Sequence, residues 1–336
     1  MTAKHPTIHD VAGRAGVSKS LVSLVMRGTP NISDASRAAV LKAAKELGYR
    51  PNLAARSLVQ RRSHNIGVLV SDLHNPFFHE TIDGVSDEAV ERDYRTLLAS
   101  GRLATAQERL AINSFLELRV DGMILLSPRL PASSLVETGR LVPLVVVGLT
   151  TKSKVYDSIA GDETVGAGLV VDHLVELGHR NIAHIHGGTG AGAGPRRAQY
   201  EQAMIRHGLD AYLQVAPGDF TVQGGVDGMR KLLSRQPFPT AVFVANDFSA
   251  MGALEVLDNE GIRVPEDMSL VGYDNVESAA YHRIALTTVD QPRFDMGRMA
   301  VGFLLERIEQ ERTISKHAVL PPKLVVRATT GPPRFL

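Results

Sequence analysis

The chain has 336 residues, 44% hydrophobic and 22% charged, and contains no cysteine. That length points to at least two compact units, the composition excludes wholesale disorder, and the missing cysteines exclude disulfides, thiolate nucleophiles and Cys-ligated zinc. The formal charge of +1 conceals a step: residues 1–62 hold 11 Lys and Arg against 3 Asp and Glu, and residues 63–336 hold 26 against 33. A basic head on an acidic body predicts a polyanion-binding module joined to a unit that stays off the polyanion. No apolar run approaches the roughly 18 residues of a membrane span, and Met1-Thr-Ala-Lys-His-Pro lacks a signal-peptide core. A cytoplasmic chain without membrane contact is therefore expected.

Thr7-Ile-His-Asp10 reads as a capping-box variant that opens a helix from Ile8 to Ala15, with Val11 and Ala15 on one face and Gly16 as its stop. Val17 precedes a second N-cap, Ser18, and a short helix to Met26 whose Leu21, Val22 and Val25 turn inward. A third helix is expected from Ser33 or Asp34, through Val40, Leu41, Ala44 and Leu47, to Gly48. Two short helices joined by a Gly-containing turn form a helix-turn-helix outline. Ser18, Lys19, Ser20 and Ser23 then stand at the start of the second helix, where such proteins reach base edges and phosphates, and Lys19 suits a guanine O6/N7 contact. Thr7 and Ser33, the hydroxyl caps of the flanking helices, join this candidate DNA-contacting set. Simple solvation of a small bundle is the bland alternative; the charge step and the helix spacing together favour DNA.

Tyr49-Arg-Pro-Asn-Leu-Ala-Ala-Arg-Ser-Leu58 follows, and with Ile8-His-Asp-Val-Ala and Gly16-Val-Ser-Lys-Ser-Leu-Val-Ser it resembles the lac repressor (LacI/GalR-type) family of bacterial transcription regulators. The resemblance implies that Asn52, Ala55, Arg56 and Leu58 belong to a hinge that folds to a helix on operator DNA. Leu58 matches the residue that wedges a central base step from the minor groove; a plain linker is the alternative. Leu24 stands where many members carry Arg, so a base there is read apolarly or not at all, and Arg27, a further candidate DNA contact, stands where many carry Asn.

Beyond Asn65, short apolar runs alternate with amphipathic stretches. Strands are expected at Ile66–Val70, Thr96–Ala99, Gly122–Leu126, Leu144–Val147, Ile182–Ile185, Ala241–Ala245 and Ser269–Gly272. Helices are expected at Phe78–Glu91, Ala106–Arg119, Val165–Leu177, Gln199–His207, Gly225–Leu233 and Ser249–Glu260. Continuous apolar strands between helices mean parallel sheets covered on both faces, here in two doubly wound α/β lobes. The expected division is a helix-turn-helix head at 1–50, a hinge at 51–64, a first lobe at 65–162 with 292–320, and a second at 163–291 with 321–336. The crossovers, near Asp162 and Gln291, are implied by the family, whose body resembles a periplasmic sugar-binding protein.

Ligands of open parallel sheets sit beyond the strands' carboxyl ends. The polar residues there are Ser71, Asp72 and Asn75-Pro-Phe-Phe78, then Ser127 to Arg129, Gly187 to Arg196, Asn246-Asp247 and Asp274-Asn275. This set is similar to that of the periplasmic ribose-binding protein. The resemblance implies Asn75, Phe77 and Phe78 from the first lobe, the two rings sandwiching a sugar, and Arg196, Phe220, Asn246, Asp274 and Gln291 elsewhere. Asp72 and Ser127 complete the effector set. Gly148-Leu149-Thr150 lacks the cation usual after the fourth strand, which removes one hydroxyl clamp. As alternatives, Asn246 and Asp274 cap helices, and Phe77 and Phe78 are plain core.

Gly188-Thr-Gly-Ala-Gly-Ala193 loosely fits a dinucleotide fingerprint, but no acidic residue ends the strand that follows near Tyr212 to Val215. His184 and His186 share a strand face without a third metal ligand. No enzyme, metal or cofactor is expected. A free-standing sugar carrier is the other alternative, disfavoured by the basic head. No heptad follows Arg327, so no coiled-coil tetramer is expected. The reading is a homodimeric repressor on a pseudo-palindromic operator, controlled by a sugar or polyol effector.

Overall fold

The computed structural model describes residues 6–26, 28–50 and 62–334, and the contacts divide the chain into two compact units, Met1–Ser63 and His64–Leu336. The sequence-predicted DNA contacts Arg27, Asn52, Ala55, Arg56 and Leu58 lie outside the described residues.

The first unit carries α1 (Ile8–Ala15), α2 (Lys19–Met26) and α3 (Asp34–Leu47). Val11, Val22, Val25, Val40, Ala43 and Ala44 form its core, ringed by Ile8, Val17, Ile32, Leu47 and Tyr49. On α3 the inward stripe is Val40, Ala43, Ala44 and Leu47, the i, i+3, i+4, i+7 spacing of one helix face. Leu41 falls off that stripe and is 50% exposed, where the sequence reading places it in the core. Leu21, also expected inside, is only half-buried and stays outside the cluster. Gly48 takes the left-handed conformation that ends α3 (φ 63°), its N–H returning to the Ala44 and Lys45 carbonyls.

The body alternates β1 (Asn65–Val70), α4 (Phe77–Glu91), β2 (Arg95–Ser100), α5 (Thr105–Glu117), β3 (Gly122–Leu126), α6 (Ala132–Leu141), β4 (Leu144–Val147) and β5 (Asp157–Gly161). It continues with α7 (Glu163–Glu176), β6 (Ile182–Ile185), α8 (Ala193–Arg206), β7 (Gln214–Ala216), α9 (Val222–Leu233), β8 (Ala241–Val244), α10 (Asp247–Asn259) and β9 (Ser269–Val271). The last elements are β10 (Thr288–Asp290), α11 (Arg293–Glu309), β11 (His317–Leu320) and β12 (Lys323–Val325). The expected strands and helices are present, each end within six residues of its expected place. β5, β10 to β12, α6 and α11 were not among them.

One sheet runs β11-β5-β4-β3-β1-β2 and the other β7-β6-β8-β9, with every pairing parallel; β10 and β12 form a small antiparallel ribbon. Alternate residues of a strand feed different cores. Ile124, Leu126, Val145 and Val147 pack under α4 and α11, while Met123, Leu125, Leu144 and Val146 pack under α5 and α6. In the second lobe Val242 and Val244 meet α9 and α10, and Ala241 and Phe243 meet α7 and α8. Both faces are therefore covered, which is why these strands read as unbroken apolar runs.

In each sheet the chain reverses its direction of winding beside its first strand: between β1 and β3 in one lobe, between β6 and β8 in the other. Loops following those strands diverge to opposite faces and leave a crevice at the carboxyl edge.

The crossing of α4 and α11 depends on two glycines. A Cβ on Gly84 would collide with the Phe294 carbonyl, and one on Gly297 with the Thr81 carbonyl, whereas one on Gly302 meets nothing. Gly297→Ala is expected to destabilise the body by about 1–3 kcal/mol in denaturant melts, as overpacking does. Gly302→Ala on the same helix is expected to stabilise it by up to about 1 kcal/mol. Equal effects would show that helix propensity, not contact, governs both sites.

Candidate functional site

A cavity of about 630 Å³, counting its open mouth, lies at the carboxyl edges of both sheets. That size suits a small molecule. The turn after β1 supplies its first wall. Asn75 Oδ1 accepts the Phe77 N–H (3.0 Å), which starts α4 and sets both phenyl rings. Asp72 beside it accepts from the His74 backbone and ring, each at 3.0 Å. Ser127 ends β3 in the left-handed region (φ 49°), and Gly148 at the end of β4 (φ 89°) leaves room for its hydroxyl. The loop beyond Ser127 is fixed from below, the buried Glu108 carboxylate accepting the Arg129 N–H with both oxygens at 3.0 Å.

The second lobe supplies the charged wall. Arg196, 3% exposed, is gripped by Glu163 through Nε–Oε2 (2.8 Å) and Nη2–Oε1 (3.0 Å). It also donates to the Ala245 carbonyl and stacks on Tyr273, its guanidinium carbon 3.5 Å from the ring centre. Burial pulls its pKa down, but the Glu163 carboxylate more than offsets this and the group stays charged, its pKa raised overall. Asn246 caps α10 by accepting the Ser249 N–H (2.9 Å), so it is a helix cap and a cavity residue at once. Gln291 donates to Asp274 Oδ1 (2.8 Å).

Burial pushes the Asp274 carboxyl up to about 8, with the neighbouring Asp247 adding to it and Arg196, Arg293 and Gln291 opposing it. Asp247, behind Asp274, is raised to about 7, again by burial first. Phe220, Ser127 and Asp274 all hold positive φ (68°, 49° and 117°) on the cavity wall. Non-glycine residues in that region store strain of about 1–3 kcal/mol each, which clusters at functional sites.

The cavity brings together all the sequence-predicted effector residues: Asp72, Asn75, Phe77, Phe78, Ser127, Arg196, Phe220, Asn246, Asp274 and Gln291. The expected aromatic sandwich is not formed by Phe77 and Phe78. Their rings meet edge to face with centroids 5.0 Å apart, and both belong to the first lobe's core, so nothing fits between them. They make one wall, and Phe220 enters the lining from the other lobe. Three charged lining residues were missed as site residues: Arg129, Glu163 and Asp219. The first follows a strand and was legible as such; Glu163 opens a helix after a strand the sequence did not reveal. His184 is fully buried, its Nδ1 2.9 Å from the Phe243 carbonyl, and burial lowers its pKa to about 3.

On the head, Thr7, Ser18, Lys19, Ser20 and Ser33 are exposed and Ser23 is half-buried. The Ser18 hydroxyl accepts the Leu21 N–H (3.2 Å), Ser33 accepts from Ser36 (3.3 Å), and the Thr7 hydroxyl donates to Asp10 (2.7 Å). Those three are helix caps first. The side chains of Lys19 and Ser20 form no hydrogen bond or ion pair among the head's described residues.

Residues 7–52 match the profile described as bacterial regulatory proteins, lacI family, and residues 171–330 match that of a periplasmic binding protein-like domain. The chain is 36% identical over 338 residues to the HTH-type transcriptional repressor PurR of Edwardsiella ictaluri, with 98% of each covered. It is 35% identical over 335 residues to the PurR of Serratia proteamaculans, again with 98% of each covered. Among solved structures, the lac repressor dimer bound to operator and the anti-inducer ONPF matches with a TM-score of 0.87 at 30% identity, over 98% of this chain and 100% of that one. The complex of the transcriptional regulator CelR with cellobiose matches with a TM-score of 0.71 at 36% identity, over 96% and 99%.

A carboxyl raised to about 8 in the folded chain favours the protonated form there more than in the unfolded chain. Its contribution to stability is complete below the unfolded-state value of about 4 and is lost as pH rises through about 8. Asp274→Asn removes that titration. In denaturant melts without ligand, the variant is expected to gain steadily on the unsubstituted protein between pH 5 and 8. A constant difference across that range would show that Asp274 does not titrate there.

Proposed function

The chain belongs to the lacI family of bacterial regulatory proteins, and from that premise we propose that it is a DNA-binding transcriptional repressor governed by a small effector held in the body's cavity. Its relatives are transcriptional repressors, and the reading assigns it no catalytic step. It acts as a homodimer, in the cytoplasm, on a pseudo-palindromic operator. Lys19 reads a base edge from the start of α2, and Ser18, Ser20, Ser23, Thr7, Ser33 and Arg27 steady the backbone. The hinge at 51–64, with Asn52, Ala55 and Arg56, brings Leu58 to the central step.

One observation carries the effector half of the reading. Residues drawn from 65–162 and from 163–291, on two separate sheets, converge on one crevice. The lobes are read as 65–162 with 292–320, and 163–291 with 321–336. Apolar ring faces on one side and Asp, Asn, Gln and Arg groups on the other suit the C–H faces and hydroxyls of a sugar or polyol. The effector shifts operator affinity through its differential affinity for the lobe arrangements that bind and release DNA.

Gel-shift titration of the full chain separates the two halves. Lys19→Ala is expected to lower operator affinity by about 1–3 kcal/mol, with the effector response intact. Asp274→Ala is expected to keep operator affinity while losing the response to the sugars that release the unsubstituted protein. Loss of both properties in either variant would refute the division of labour.

A further inference from the structure

The cavity lining sets four acidic side chains, Asp72, Glu163, Asp219 and the neutral-leaning Asp274, against two guanidiniums, Arg129 and Arg196. Arg196 is the only one of the two guanidiniums held deep in the wall, and it is already spent: Glu163 takes its fork with two oxygens at 2.8 and 3.0 Å. A bidentate guanidinium is the protein's strongest recognition element for a phosphate or carboxylate. Here that element faces an acid belonging to the protein itself.

Backbone amides tell the same story. Helix N-termini are natural anion sites, and in a parallel sheet they collect at the carboxyl edge. At four of the helices that open on this crevice a side chain takes that place, whereas α5, α6 and α11, which follow the lining residues Leu103, Arg129 and Gln291, carry no side-chain cap. Asn75 covers α4 (3.0 Å), Asp162 covers α7 (3.1 and 3.0 Å), Thr221 covers α9 (3.0 Å) and Asn246 covers α10 (2.9 Å). The start of α8 has no side-chain cap of its own, yet a Cβ on its N-cap Gly192 would lie 2.8 Å from Glu163 Oε1. Glu163 therefore stands over the α8 N-terminus and in the Arg196 fork together, the position in which a bound anion would sit.

We propose that the cavity takes an uncharged, hydroxyl-rich molecule and rejects phosphorylated counterparts, and that Glu163 is the specificity-determining residue that keeps the anion position filled. The proposal rests on the reading of the cavity as the effector site. Uncharged hydroxyls still find acceptors and donors in Asp72, Asn246 and Asp274, whereas a phosphate meets a surplus of acidic groups and finds the buried Arg196 fork already occupied.

The test titrates the full chain with D-glucose, D-ribose and cellobiose, with glucose 6-phosphate and ribose 5-phosphate, and with inorganic phosphate, following the shift in Tm. The unsubstituted protein is expected to gain less from either sugar phosphate than from its parent sugar. Glu163→Gln and Glu163→Ala are expected to bind inorganic phosphate about tenfold more tightly than the unsubstituted protein, the effect of one released charge-assisted fork. Glu163→Asp, which perturbs the same place but keeps the charge, is expected to gain nothing. Stabilisation of the unsubstituted protein by a sugar phosphate equal to or beyond that by its parent sugar, no phosphate gain in either neutral variant, or an equal gain in Glu163→Asp would each overturn the proposal. Glucosamine stabilising beyond glucose would do so too, by showing a site for cations. Operator release by the same molecules is scored separately in gel shifts, so a failure of cavity control is visible even where the phosphate gain appears.

Discussion

A parallel strand hands its following loop to the same edge of the sheet as every other strand, and this body is organised by that constraint. All strands of both large sheets run parallel within their sheet, so the turns after β1, β3, β6 and β8 have one edge each to occupy. Where the winding reverses, neighbouring loops leave in opposite directions and no helix can fill the gap. The crevice is what remains. Its lining is then drawn from residues far apart in sequence, from Asp72 to Gln291, without any of them departing from the local rules of a βα turn. Asn75 and Asn246 illustrate this: each caps its own helix and faces the cavity with the rest of the same side chain.

Gathering helix N-termini and polar side chains at one partly buried edge has an electrostatic cost that the protein settles internally. Taking an ion out of water costs several kcal/mol and is recovered only by close pairing. Arg196 meets this condition with Glu163 on its fork, Ala245 behind it and Tyr273 against its face. Asp274 meets it differently. With one hydrogen bond from Gln291 and a second acid, Asp247, nearby, burial favours its neutral form. A neutral carboxyl both donates and accepts, so the cavity wall holds a group matched to hydroxyls rather than to ions. Strain is stored at the same place, in the positive φ of Phe220, Ser127 and Asp274.

What the sequence shows of this and what it hides follow from where each residue's partner lies. β3 and β4 are legible because helices on both faces demand unbroken apolar runs, and the head is legible because caps and i, i+3, i+4 stripes are local. β5 is hidden for the opposite reason. It opens with Asp157, fully buried, whose partners are Arg307 and Arg312, 150 or more residues away. Burial alone would raise the Asp157 pKa, but those guanidiniums hold it below its ordinary value, so a residue that reads as a loop signal sits stably at the head of a central strand. Missing β5 also hid Glu163, the first residue of the helix after it. Leu41 shows the complementary failure: its apolar side chain fits the core by type but points off the stripe by about one residue's rotation. Much of the candidate site was legible because strand-end polar residues need only local pattern to be found, whereas Phe220 and Gln291 entered through the family resemblance alone.

The two lobes are joined where the cavity is lined. Gln291 reaches Asp274, and two residues on, Arg293 donates to Glu80 of α4 at 2.8 Å and to the Asn275 carbonyl of the other lobe, also at 2.8 Å. Asp274 is itself tied to this crossover, its N–H bonded to the Val289 carbonyl at 2.8 Å. Where the chain passes from β5 to α7, Asp162 caps α7, and Glu163 grips Arg196. A molecule held against Gln291, Asp274 and Arg196 therefore touches the segments about which the lobes would have to turn. It needs no long relay to favour one arrangement over another: any change in the lobe angle alters its own contacts directly, and that difference in contact energy is the only quantity through which a ligand moves such an equilibrium.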